Sequence, residues 1–179
     1  MPRMKQIMLA SILVFASVGT ASAGGQPGSF GVGAEVQLSG LGGLSANYDA
    51  GRFHVGGFIG FSDPAGPNDT TVDVGGRFFF HVASTAMSDF SLGGGLGIES
   101  GYDNPGNPMS TRHTFLFIEP AFQIRAFIAS NVALSFTGGI EIGTIDASEV
   151  RIIGGSATGN VNGVALGNVT GEAGVHYYF

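Results

Sequence analysis

Gly171-Glu172-Ala173-Gly174-Val175-His176-Tyr177-Tyr178-Phe179 is the stretch that decides the fold. It alternates strictly: Val169, Gly171, Ala173, Val175, Tyr177 and Phe179 share one face, and Thr170, Glu172, Gly174, His176 and Tyr178 share the other. A period of two is the signature of a β-strand. Here the apolar face is paired with a face that carries an acid, an imidazole and a phenol. That combination suits a strand with lipid on one side and a hydrogen-bonding lumen on the other.

The same alternation recurs upstream. Eight segments of roughly the length needed to cross a bilayer as tilted strands fall at 29–38, 43–50, 52–62, 70–83, 89–102, 112–127, 132–145 and 168–179. Their connections alternate too. Short links at 49–52, 84–88 and 129–131 contrast with longer ones, rich in turn-forming residues, at 63–69, 103–111 and 146–167, and only the link at 39–42 is short on the long side. The last long link carries a low-complexity stretch, 154–160, expected to be mobile. An even number of strands with this asymmetry predicts an all-β, eight-stranded, antiparallel up-and-down transmembrane barrel with both ends of the chain on the short-turn side. A register slip of one residue would turn an Arg or Glu into lipid, at about 2–4 kcal/mol for an arginine at mid-bilayer, so the register is strongly encoded.

Composition agrees with that reading. The chain is 44% hydrophobic and only 11% charged, yet no apolar run is long enough to cross a membrane as a helix. Arg3 and Lys5, the apolar stretch 7–18 and Ala21-Ser22-Ala23 read as an export signal, cleaved after residue 23, which leaves 24–179 as one barrel domain. There is no cysteine, hence no disulfide and no thiolate metal site. Thirteen acidic residues stand against seven basic ones, two of which lie in the leader, so nucleic acid is excluded as a partner.

Parity assigns the inward side chains. Glu35, Gln37, His54, Asp73, Arg77, His81, Glu99, Glu119, Gln123, Arg125, Glu141, Glu172, His176 and Tyr178 face the lumen, together with Phe58 and Phe79 and several glycines that make room for them. The interior of an eight-stranded barrel is just wide enough for side chains to fill, which predicts a ladder of ion pairs and hydrogen bonds. Inward carboxylates outnumber inward arginines. Acids left without a counter-charge must be hydrated, protonated or neutralised by a cation, so a narrow pore with weak cation or proton conductance is the alternative to a plug.

No catalytic constellation stands out. Gly-x-Ser-x-Gly and His-Glu-x-x-His are both absent, no cofactor or metal motif occurs, and no serine stands two residues after His113. Asp63, Asp69, Asp103, Asp146 and Glu149 make the long loops acidic, with Arg112 and Arg151 nearby. Such loops suit a solvated rim, or adhesion and lipopolysaccharide contact bridged by divalent ions.

With its Ala21-Ser22-Ala23 signal end, its even strand count and its closing Val175-His176-Tyr177-Tyr178-Phe179, the chain resembles the small eight-stranded outer-membrane β-barrels of Gram-negative bacteria, the group of the OmpA transmembrane domain, OmpX, the opacity proteins and OmpW. The resemblance implies an integral protein of the cell outer membrane, exported through the periplasm. Enzymes exist on this architecture, so the expectation of a non-enzymatic chain rests on the missing catalytic motifs, and a monomer is the default. Its role would be structural or surface-interacting, and its partners outer-membrane lipid, lipopolysaccharide and the barrel-assembly machinery. It also implies that Val175, Tyr177 and Phe179 form the signal that the assembly machinery reads. An OmpW-like channel for small molecules is the neighbouring expectation.

Overall fold

A computed structural model describes residues 26–37, 40–102, 106–146, 149–153, 160–161, 164–165 and 169–179. The leader read over 1–23 and the low-complexity stretch 154–159 lie outside them. The strands are β1 (Phe30–Gln37), β2 (Gly42–Asp49), β3 (Phe53–Ser62), β4 (Thr71–Ser84), β5 (Ser88–Tyr102), β6 (Arg112–Ala129), β7 (Val132–Asp146), β8 (Glu149–Ile153), β9 (Asn160–Val161), β10 (Val164–Ala165) and β11 (Val169–Tyr178). Every bound of the eight long segments expected from the sequence is within about two residues of the observed one.

β1 to β7 pair in sequence order, all antiparallel, and β11 pairs with both β7 and β1. The wall is therefore closed. Val175 lies opposite Leu134 on one side and Ala34 on the other, so the alternating tail is the stave that completes the ring. Closure pairs the backbone groups that an open sheet would leave along its edges.

One expectation needs correction. The connection from β7 to the closing stave is not a single loop: β8 runs back along β7, with Ile153 opposite Glu141, and Val169 of β11 then lies opposite the next residue, Ile140. The closing stave thus comes in two collinear pieces. Val150, Ile152 and Ile153 can continue a ladder, but the intervening glycines hid this short strand inside what reads as one long loop.

The wall is inside-out relative to a soluble protein. Its large exposed residues are apolar, from Leu44, Ile59, Phe78 and Leu96 to Leu116, Ile140 and Val175, whereas the buried ones include Arg125, His54, His176, Asp49, Asp73 and Ser91. Parity drives this, because each strand sends alternate side chains to opposite faces.

A small interior must also accommodate rings, and it does so by laying them over cross-strand glycines. Tyr178 lies opposite and over Gly31, His176 over Gly33, Phe58 over Gly75 and Phe117 over Gly97. Gly93, opposite Phe79, is tighter than any of these four: a methyl group there would sit 2.0 Å from the Phe78 carbonyl oxygen. Outward-facing Gly57, by contrast, has nothing nearer than 3.6 Å. We expect Gly93→Ala to lower the urea-unfolding midpoint of the refolded barrel by an amount equivalent to about 1–3 kcal/mol, and Gly57→Ala to leave it almost unchanged. Equal midpoints for the two variants would contradict this packing.

Candidate functional site: the filled lumen

The lumen is organised in layers between the short-turn end and the long-loop end. At the turn end everything converges on Arg125 of β6. Its Nε and Nη2 donate to the two carboxylate oxygens of Asp89 at 3.0 and 2.9 Å, Nη2 also donates to Asp49 Oδ2 at 2.7 Å, and Nη1 donates to Tyr178 Oη at 2.9 Å. Only 1% of Arg125 is exposed. The planar fork of guanidinium donors fits two carboxylates at once, and one side chain thereby ties together β2, β5, β6 and β11.

Asp49 and Asp89 are the partners that sequence reasoning missed. Asp49 reads as a turn residue, which it also is: its Oδ1 accepts from the Gly51 amide at 2.8 Å, and Gly51 takes the positive φ of 88° that the turn requires. The signal was its parity with Ser45 and Asn47 on β2. Asp89 lies directly opposite Arg125 in the β5–β6 register.

A histidine chain adjoins this layer. His81 Nδ1 donates to the Gly51 carbonyl at 2.9 Å, which leaves its Nε2 as an acceptor for Arg125 Nη2 at 3.0 Å and for His54 Nδ1 at 2.8 Å. The tautomers follow from the partners, because a guanidinium can only donate. Asp49, His54 and His81 bring three potential ligand atoms within 4.8 Å of one another. Arg125 supplies positive charge to this cluster, which is an ion-paired knot.

Above it, Ser45 Oγ lies 2.6 Å from His176 Nε2, and Glu35 Oε1 is 3.3 Å from the same nitrogen. Serine, histidine and glutamate meet here, but not as a nucleophilic triad. A triad holds the acid on one imidazole nitrogen and the serine on the other, whereas here both crowd Nε2 while Nδ1 is buried without a partner. Gln123 donates to Thr137 Oγ1 at 3.0 Å in the same region, and Phe79 stacks on His54 with centroids 5.3 Å apart.

The next layer belongs to Arg77 of β4. Its Nη1 donates to Glu35 Oε2 at 2.8 Å and to Glu172 Oε1 at 2.7 Å, Nη2 pairs with the second Glu172 oxygen, and the guanidinium lies 4.0 Å above the centre of the Phe58 ring. Gln37 donates to Asp73 Oδ2 at 2.9 Å, and Thr170 donates to Glu119 Oε1 at 2.5 Å. Glu99 and Glu141 complete the acidic side of this half.

The layers differ in access. Arg125, His54, His176 and Phe79 are each 1% exposed and Tyr178 is 3% exposed, so the turn-end half is closed to bulk water. Toward the loop end, beneath the β1–β2 link, a small cavity of about 10 Å³, room for about one water, lies between Glu35, Gln37, Leu41, Phe58, Gly60 and Asp73.

The long loops after β3 and β5 are fastened to each other. The Gly106 amide donates to the Pro67 carbonyl at 3.1 Å, and Asn68 Nδ2 donates to the Pro108 carbonyl at 3.0 Å from a left-handed backbone. Arg112 donates to the Thr70 carbonyl at 3.1 Å and covers the Tyr102 ring. Of the acidic loop residues, Asp69 is buried in this clasp and Asp63 accepts from Thr70 Oγ1 at 2.6 Å. Asp103 lies outside the described residues, as do the side chains of Asp146, Glu149 and Arg151.

At the closing stave, the backbones of Phe179 and Phe30 exchange hydrogen bonds at 2.9 and 3.1 Å, and their rings meet edge to face. Val175 and Phe179 point outward and are exposed, while Tyr177 is half-buried.

No protein-family model and no curated protein matches the sequence. Among solved structures, the chain is similar to the N-terminal β-barrel domain of Pseudomonas aeruginosa OprF, with a TM-score of 0.58 at 11% identity over 86% of this chain and 98% of that one. It also aligns with Ail, the attachment invasion locus protein of Yersinia pestis, with a TM-score of 0.45 at 13% identity over 86% of this chain and 100% of that one. The chain is a closed, all-β, eight-stranded antiparallel barrel, and it shares its barrel fold with the OprF N-terminal domain.

Proposed function

We propose that this chain is an integral outer-membrane barrel whose interior is a structural plug and whose outward role lies in its loops and wall. The observation that carries the reading is the inversion of polarity: among the described residues, a belt of exposed Val, Leu, Ile and Phe encloses a buried Arg, His and Asp core. In water that belt would be an aggregation surface. In a bilayer it is the stable arrangement, because the closed ladder satisfies the backbone and the lumen satisfies the polar side chains. The similarity in fold to the OprF barrel supports the outer membrane as the location. Export through the periplasm by way of the leader at 1–23 and a monomeric state in lipid belong to the same reading.

Catalysis is not part of it. Ser45, His176 and Glu35 are in the wrong order for a nucleophile and are buried within the wall. The clasped loops after β3 and β5 present a rigid rim, which supports contact with lipopolysaccharide or a surface partner in place of a hinged gate. The pore reading has one observation in its favour, the acidic cavity of the loop-end half. The Arg125 layer opposes it.

Three outcomes follow from this reading. Purified barrel in planar bilayers should give no sustained current above the lipid background; steady, cation-selective steps would instead favour the narrow pore. Arg125→Ala should leave Asp49 and Asp89 uncompensated and destabilise the refolded barrel by about 3–5 kcal/mol, read from urea unfolding in detergent, whereas a loss under 1 kcal/mol would show that the layer is not what holds the staves together. For the assembly role of Val175, Tyr177 and Phe179, Phe179→Ala should deplete folded protein in cell outer membranes while refolding in detergent stays efficient. Normal cellular assembly of that variant would remove the role.

A further inference from the structure

The turn-end cluster of Asp49, His54 and His81 has fewer protons than its acceptors ask for. His81 commits its one proton to the Gly51 carbonyl, so the single lone pair on its Nε2 receives both Arg125 Nη2 at 3.0 Å and His54 Nδ1 at 2.8 Å. His54 therefore carries its own proton on Nδ1. Gln123 stands within side-chain hydrogen-bonding reach of His54. Its amide nitrogen donates to Thr137, but its Oε1 is buried without a partner, and His54 has no second proton to give it.

The charges leave a matching gap. Asp89 holds the Arg125 guanidinium through both Nε and Nη2, which balances that cation, and the fully buried Asp49 is a second carboxylate on the same group. Asp49, His54 and His81 each bring one potential ligand atom within 4.8 Å of the other two, and among the described residues no other group of three His, Asp or Glu does so.

We propose that Asp49, His54 and His81 bind a zinc-class divalent ion. Two imidazoles and a carboxylate, with water in the fourth position, are a ligand set that zinc takes and that magnesium, which prefers oxygen alone, does not. The Nδ1 contact of His81 to a backbone carbonyl is the outer contact that turns the opposite nitrogen toward a metal. The ion takes the place of the proton between the two rings. Their facing nitrogens move apart from 2.8 Å to about 3.4 Å on a tetrahedral ion, and the His54 proton moves from Nδ1 to Nε2, which gives His54 a proton to offer Gln123. No proton leaves the cluster. Arg125 gives up the His81 lone pair and keeps Asp89 and Tyr178. His81, the half-buried member beneath the β2–β3 turn, is the point of entry. The bound ion ties β2, β3 and β4 together at the turn end. The site rests on the barrel fold alone, so its failure would leave the surface role and the plug untouched.

The test uses the full refolded barrel in zwitterionic detergent, stripped with EDTA and then titrated with ZnCl2, with MgCl2 as control. The wild type should bind one zinc per chain and gain about 5 °C or more in unfolding midpoint at saturation, and magnesium should give much less. His54→Gln/His81→Gln should lose most of the zinc gain, and His113→Gln should keep it. No gain in the wild type, an equal gain from magnesium, or an undiminished gain in the double variant would overturn the proposal. A second measurement does not require any variant to fold. In the wild type, NMR of the histidine ring nitrogens should show His54 changing from the Nδ1–H to the Nε2–H form at one equivalent of zinc, while the His113 ring stays unshifted. A His54 ring that keeps its Nδ1 proton at saturating zinc, or shifts confined to His113 and His176, would overturn it equally.

Discussion

Everything in this molecule depends on the pairing of β11 with β1. Until that ladder forms, the chain is an open sheet whose two edges carry unpaired amides and carbonyls and whose inward face has no opposite wall. Once Val32 faces Tyr177 and Gln37 faces Glu172, the inside and the outside become different solvents. Each strand then has to obey one rule at every second residue. The apolar belt and the charged interior are two consequences of one closure.

Closure also sets the energetic character of the interior. A soluble core of this size would be built from Leu and Val, but here the apolar side chains are needed outside. What remains for the inside is charge, hydrogen bonds and rings laid on glycine. Arg125 and Arg77 each hold two acids from other staves, so they act as cross-braces that the backbone ladder cannot supply: the ladder joins neighbours, and the arginines join walls. The price is specificity of arrangement, since a buried guanidinium or carboxylate that loses its partner becomes a liability. That constraint is strict at the turn end, where Arg125 is fully enclosed. At the loop end, Asp73 and Glu141 keep oxygens that no protein group satisfies.

How much of this was legible in the sequence depends on the distance over which each feature is decided. Strand existence, strand limits and the face on which each residue lies are properties of the alternation itself. Phe58 and Phe79 could therefore be read as inward, and Leu96 and Ile118 as outward, from the chain alone. Asp49 could not be read as an Arg125 ligand, because next to Gly51 it has every mark of a turn residue, and its second oxygen reaches the lumen only after β2 and β6 are set across from each other. β8 was hidden for a similar reason. Five residues among glycines carry too short a pattern to announce a strand, and only β7, already in place, gives them a ladder to join.

The sequence by itself determined an eight-stranded wall, the face on which each strand residue lies and most of the inward side chains, because a period of two is a local property and a slip of one residue would put charge into lipid. Only the tertiary structure decided which inward groups meet. Whether Glu35 reaches Arg77 or Arg125 depends on the stagger accumulated from strand to strand around the ring. That stagger joins Arg77 to Glu172, gathers Asp73, Glu99, Glu119 and Glu141 on one side, and seals the other end with Arg125. No single segment contains it, because it is the sum of all the registers.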